Sequence, residues 1–285
     1  MIVDIVRSVL EKLDAQGLVE HDDWDEQLMA QMASLELSYR ELRDRQRDLI
    51  DYSQLSTQAA YFYRYVIGHA DFIYQILTKA RAEAGAPLFD EEEIFVTSVG
   101  GGPASELLGL IKYLREAEGE PEVSKITYTV IDKERHWEHV VDLVVEAVDV
   151  GIEIDMIFQA CDLSADAISE EVSLEHEDIV IMSYFISEIC TIPSHRQIVT
   201  NLNNLLSAMP GGALLLYNDS SAWSFHSFFD SRVSAARRFV VVADIREDLR
   251  TAHPQSEGVF ADINFRTDYG FKLSSNAVAK VLRRD

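Results

Sequence analysis

The stretch FVTSVGGGPASELLGLIKYL, residues 95–114, sets three glycines and a proline between an apolar β-type run and an apolar segment with helical spacing. Glycine is costly to order and proline stops a strand, so Gly100, Gly101, Gly102 and Pro103 at one junction mark a backbone shape that few other residues could adopt. A strand that turns through glycines into a helix is how a doubly wound α/β sheet begins. In such sheets ligands sit beyond the carboxyl ends of the strands, and glycines at that turn let backbone N–H groups approach them.

Downstream the pattern keeps alternating. ITYTVID, IEIDMIFQAC, DIVIMSYF and GALLLYND read as strands, with helices from Ser105, from about Arg135 and near residues 194–208. Their continuous apolar runs predict strands buried on both faces, the signature of a parallel sheet covered by helices. RFVVVADI, VFADINFR and NAVAKVLRR follow at closer spacing and predict an antiparallel end to the sheet. Upstream, residues 1–88 read as three helices. In the first, Ile2, Ile5, Val6, Leu10 and Leu13 recur at helical spacing with Gly17 as a stop; the second spans residues 22–50 on Leu28, Met32, Leu35, Leu37 and Leu42. The third opens at Ser56 or Thr57 as N-cap and ends near Gly85 and Pro87. The expected organisation is a helical lid or homodimerisation region over 1–88 and a catalytic α/β domain over 89–285.

Composition limits the partners. The chain has 285 residues, 47% hydrophobic and 26% charged, with 25 Lys and Arg against 49 Asp and Glu and a formal net charge of −24. A nucleic-acid backbone would be repelled by that field, since the basic residues are scattered; a small or cationic substrate fits better. No run of about 18 apolar residues suggests a membrane span, and acidic residues stand where a signal peptide would be basic, so a cytoplasmic protein is expected. Cys161 and Cys190 lie far apart without metal-ligand spacing, and read as buried free thiols; no metal is expected.

Asp132 closes the second strand, where a carboxylate can accept hydrogen bonds from ribose hydroxyls. A dinucleotide site wants G-x-G-x-x-G, but Ser105 stands at the third glycine, and Asp132 lies farther on than the usual roughly 20 positions. With VGGGPAS, the acid in VIDK, the acid in QACDLS, DIVIMSYFISEI after the fourth strand and the antiparallel end, residues 90–285 resemble the class I S-adenosylmethionine-dependent methyltransferases, subfamily open. That resemblance implies a Rossmann-like methyltransferase sheet with S-adenosyl-L-methionine as cofactor. Gly100, Gly101 and Gly102 would pass the methionine part, Asp132 would hold the ribose and Asp162 would face the adenine amino group. The plainer alternatives are a solvated turn carboxylate for Asp132 and a helix cap for Asp162.

Ser183 and Tyr184 end the fourth strand at the mouth of this site, and Tyr184 shares a helix face with Glu188. Glu188 could bind an amine or remove the acceptor's proton, or simply favour a helix start. After the fifth strand, Trp223, Phe225, His226 and Phe229 could wall a substrate pocket, with His226 as a proton acceptor or merely a packed ring. On the third helix, Arg64 beside Tyr61 and Tyr65 could grip the cofactor carboxylate. The aromatic stripe loosely resembles the N-terminal helix of protein arginine methyltransferases, and also reads as core packing. The expected function is methyl transfer to a small molecule, through an amine or hydroxyl, or to a protein side chain. An NAD-dependent oxidoreductase, a non-catalytic partner protein of the same fold, and other chemistry with the same cofactor stay open.

Overall fold

A computed structural model describes residues 1–42, 50–165, 174–190, 195–236, 238–251 and 270–285. Three helices come first, α1 (Ile2–Glu20), α2 (Trp24–Arg40) and α3 (Leu55–Ala84). The sequence misplaces an end of each. Helix α1 runs through Gly17, because that glycine makes room rather than a stop: a Cβ there would lie 2.2 Å from the ring of Trp24, whose Nε1 donates to Asp14 Oδ1 at 2.9 Å. Helix α3 is capped by Gln54, and Ser56 and Thr57 are buried in its first turn instead of capping it. Its far end is as expected, with Gly85 left-handed at φ 64°. In α2, Leu28, Met32 and Leu35 are buried while Leu37 is 57% exposed. Helix α2 ends at Arg40 with Glu41 as its C-cap, short of the expected end at residue 50; residues 43–49 fall outside the described residues.

The sheet elements follow in the predicted alternation: β1 (Glu93–Val99), α4 (Ser105–Glu116), β2 (Lys125–Asp132), α5 (Trp137–Ala147), β3 (Glu153–Ala160), β4 (Ile179–Ser183), α6 (Phe185–Ile189), α7 (His195–Ala208), β5 (Leu214–Ser220), α8 (Trp223–Ala236), β6 (Phe239–Arg250) and β7 (Ser274–Arg284). The seven strands lie in the order β3-β2-β1-β4-β5-β7-β6. The first five are parallel, and β7 runs antiparallel to both β5 and β6. This is a doubly wound, Rossmann-like sheet with an antiparallel C-terminal end. VFADINFR, expected as a further strand, spans residues 259–266, outside the described residues.

Both faces of the central strands β1, β2, β4 and β5 are covered, so these carry no polar alternation, whereas the edge strands β3 and β6 alternate less and more exposed positions. Along β4, Ile179 and Ile181 pack towards α3 and α4, while Val180 and Met182 pack towards α7 and α8. The second half of α3, from Phe72 to Ala80, belongs to the core of the sheet; its first half, from Ala59 to Ala70, shares a core with α1, α2 and α5. The boundary at residue 88 therefore does not separate two cores. Strand order reverses between β1 and β4, and the carboxyl ends of β1, β2 and β4 open a crevice there.

Helices α3 and α4 meet backbone to backbone. A Cβ on Gly109 of α4 would stand 2.3 Å from the Ala70 carbonyl oxygen and 2.7 Å from Ile73 Cβ. Gly109→Ala gains about 1 kcal/mol of helix propensity, but overpacking against a carbonyl that cannot rotate away costs roughly 1–3 kcal/mol. The variant should lose up to about 2 kcal/mol of stability, read as a lower thermal midpoint; a raised midpoint would show that the two helices do not touch here.

Candidate active site

The crevice is lined by the glycine turn, the ends of β2, β3 and β4, helix α6 and its preceding Tyr184, and the aromatic side chains of Tyr52, Tyr61 and Trp137. At the turn, Gly100 has φ 67° and its N–H donates to Ile131 O at 2.7 Å, while a Cβ on it would lie 2.4 Å from the Phe185 ring. Gly102, at φ 42°, donates its N–H to Asp132 Oδ2 at 3.0 Å. The other oxygen of Asp132 accepts from the Glu134 N–H at 2.9 Å. The turn thus spends the Gly102 N–H on the acid of the neighbouring strand, and the carboxylate is aimed by two backbone donors. Burial pushes Asp132 up to about 6, against the pull of those two hydrogen bonds.

Asp162, beyond β3, also lines the crevice; its Oδ1 accepts from the Ser164 N–H at 2.8 Å and the Ser164 hydroxyl at 2.7 Å. At the end of β4, Ser183 is buried and its Oγ accepts from Asn218 Nδ2 at 3.3 Å. Tyr184 turns the chain at φ 54°, held by its N–H to Asn218 O at 2.7 Å, and α6 then brings Glu188 to the same crevice. Glu188 Oε1 accepts from the hydroxyls of Tyr39 at 3.1 Å and Tyr52 at 3.4 Å, which are themselves 2.9 Å apart. Burial pushes the phenols of Tyr39, Tyr52 and Tyr61 well above the usual range, so they stay neutral donors. Trp137 stands 5.5 Å from Tyr52 and 5.6 Å from Tyr61 between ring centroids, completing an aromatic wall over the acids.

Gly100, Gly102, Asp132, Asp162, Ser183, Tyr184 and Glu188 therefore converge on one cavity, and three residues singled out from the sequence do not. Gly101 lies outside the lining because its Cα packs on Ser98, where a Cβ would be 2.8 Å away. Arg64 turns from the cavity: Nη1 donates to Gly270 O at 2.6 Å and Nη2 is 3.7 Å from Glu36. His226 sits on α8, with Nδ1 3.0 Å from the Tyr217 hydroxyl, and burial lowers its pKa. Of the aromatic wall expected from α8, Trp223 is 80% exposed and Phe229 is core, and only Phe225 lines a cavity, a second one beyond Tyr184. Tyr52, Trp137, Lys133 and Tyr39 escaped the sequence reading. Only Trp137 carries a local signal, as the apolar start of the helix after Asp132; Tyr39 and Tyr52 meet Glu188 through tertiary packing alone.

Among the described residues, no group of three or more His, Cys, Asp or Glu is placed to hold a metal ion, and no helix is long and apolar enough to cross a membrane.

No protein-family model and no curated protein sequence matches the chain. Solved structures similar to it include the N-methyltransferase NodS from Bradyrhizobium japonicum WM9 with S-adenosyl-L-homocysteine, at 10% identity and TM-score 0.42 over 74% of this chain and 85% of that one. The precorrin-6y C5,15-methyltransferase from Geobacter metallireducens GS-15 gives 10% identity and TM-score 0.43 over 74% and 88%. The [4+2]-cyclase SpnF gives 12% and 0.43 over 73% and 81%. Likeness at this level transfers no residue role and no activity.

Beneath the crevice one carboxyl is out of place. Glu106 is buried in the first turn of α4 and its Oε2 has no hydrogen-bond partner among the described residues. Burial, helped by the charge of nearby Asp132, pushes it up to about 8, so it is a neutral acid at pH 7. A carboxyl whose folded pKa exceeds its unfolded value binds more protons when folded, so its contribution to stability falls as pH rises from about 4.5 to about 8. Glu106→Gln should remove that part of the slope. Denaturant unfolding at pH 5 and pH 8 should show the variant gaining on the parent chain as pH rises; equal slopes would mean that Glu106 is ionised in the fold.

Proposed function

We propose that the chain is an S-adenosylmethionine-dependent methyltransferase acting on a small molecule through an amine or hydroxyl. The observation that carries this reading is the convergence of the glycine turn, Asp132, Asp162 and Glu188 on one cavity at the point where strand order reverses. The donor set fits the cofactor. A doubly anchored carboxylate at the end of β2 has lone pairs left for a pair of ribose hydroxyls, and Gly100 lets the Phe185 ring close on the turn, where a Cβ would lie 2.4 Å from it. The acids and aromatic faces suit a group bearing positive charge. When bound, the cofactor supplies an electrophilic methyl group on a sulfonium centre.

The chain's own residues supply the rest. Asp132 and Asp162 fix the nucleoside end. Tyr52, Tyr61 and Trp137 exclude water and present ring faces to the cation. Glu188, oriented by the two tyrosine hydroxyls, takes the proton of the acceptor amine or hydroxyl at a carboxylate oxygen. Positioning accounts for most of the remaining barrier reduction.

Calorimetry with S-adenosylhomocysteine tests the reading. Asp132→Ala should weaken binding by about 1.5–3 kcal/mol, the range for a hydrogen bond to a charged group. Because the ionised form of Asp132 is lost as pH falls through about 6, affinity should drop between pH 7.5 and pH 5, and Asp132→Asn should abolish that dependence. Heat with NAD and none with S-adenosylhomocysteine would overturn the assignment. Glu188→Gln should separate binding from chemistry, keeping affinity for S-adenosylhomocysteine while turnover falls by roughly 10²–10⁴-fold. Unchanged turnover would remove Glu188 from proton transfer.

A further inference from the structure

A second cavity lies on the far side of Tyr184. It is lined by Tyr39, Tyr65, His69, Tyr184, Phe225 and Lys272, with Arg40, Leu42 and Ser220 at its edge. Tyr184 belongs to both cavities, and Tyr39 reaches from the second to Glu188 in the first. The two differ in charge. Asp132, Asp162 and Glu188 line the first; among the described residues the second is lined by no carboxylate, and of its two cations Arg40 is paired with Glu36 while Lys272 is not. In a chain of net charge −24 that is an exception requiring a cause.

Lys272 is built into this place. Its N–H donates to Arg64 O at 2.8 Å, the Arg64 guanidinium holds Gly270 O, and Gly68 lets the segment leading into β7 pass so close to α3 that a Cβ there would lie 2.2 Å from the Lys272 carbonyl oxygen. The ammonium stands 5.5 Å from the Tyr65 ring centroid and 5.7 Å from that of Tyr184. Among the described residues no carboxylate lies within ion-pair distance of it, and burial, then the nearby Arg64 guanidinium, lower its pKa, with Asp219 only partly opposing them. Ring faces recover only part of the cost of desolvating an ammonium. His69 stacks on Tyr184 at 4.3 Å, and burial together with Lys272 holds it down at about 3, so it adds no second charge. What the cavity lacks is an anion, with room beside it for a flat or apolar body.

We infer that the second cavity binds a small carboxylate-bearing molecule, its carboxylate on Lys272 and its body against Tyr39, Tyr65, Tyr184 and Phe225. If the proposed methyl transfer holds, on which this role rests, that molecule is the methyl acceptor, entering with its acid remote from Glu188 and its reacting amine or hydroxyl directed past Tyr184.

Benzoate is the probe, with benzyl alcohol as the uncharged equivalent, inorganic phosphate as a bare anion, and S-adenosylhomocysteine as reporter of the first cavity. Binding is measured by calorimetry on the full chain. Benzoate should bind at least tenfold tighter than benzyl alcohol or phosphate. Lys272→Met should abolish that preference while circular dichroism and affinity for S-adenosylhomocysteine stay as in the parent chain. Should the Met variant not fold, Lys272→Arg decides: it keeps the charge and should retain the benzoate preference. No preference in the parent chain, preference surviving in a folded Met variant, or loss of it in a folded Arg variant each overturns the inference. Benzoate binding without S-adenosylhomocysteine binding would instead sink the methyltransferase reading and leave the carboxylate site standing; the reverse result would sink only the carboxylate site.

Discussion

Helix α3 touches its neighbours at backbone distance, and the site depends on that approach. Gly109 brings α4 against it on one side, and Gly68 admits Lys272 on another. A helix of 30 residues held this way cannot slide. It places Tyr61 on the first cavity and Tyr65 and His69 on the second, so both binding surfaces inherit their spacing from one rigid rod. The same helix joins the core of the sheet to the core of the N-terminal helices, which makes those helices part of the frame that holds the site.

Charge is organised around that frame. Carboxylates gather where the parallel strands end, and the cations gather one tyrosine away. Burial raises the acids Asp132 and Asp219 to about 6 and 7, so the polar floor holds protons more readily than exposed carboxylates would. The anchoring donors are backbone N–H groups from Gly102, Glu134, Ser187 and Ser220, fixed by the fold and indifferent to solvent. Preorganised donors of this kind cost nothing to align when a ligand arrives.

The strand-turn-helix unit and the alternation after it were legible because they are local. Apolar runs, glycines with positive φ and the acid after β2 act within a few residues of where they stand. Glu188 and Tyr184 were picked out by their place just after β4, but the expected shared helix face did not form, since Tyr184 turns the chain at φ 54° ahead of α6. Arg64 and His226 were misread because proximity in sequence to an aromatic stripe says nothing about which way a long side chain turns. Arg64 found the Gly270 carbonyl, 206 positions away, and His226 found Tyr217. Gly17 was misread because a glycine that ends a helix and one that admits a tryptophan look alike in one dimension.

The sequence by itself determined the parallel sheet, its antiparallel finish, the glycine turn and the acids at the strand ends, since each follows from periodicity or from the backbone freedom of single residues. Only tertiary structure decided that tyrosines from α2 and from the segment after it would hold Glu188, and that an ammonium from residue 272 would face a cavity lined, among the described residues, by no carboxylate. Contacts between residues more than a hundred positions apart are selected by packing over the whole chain, and no local pattern records them.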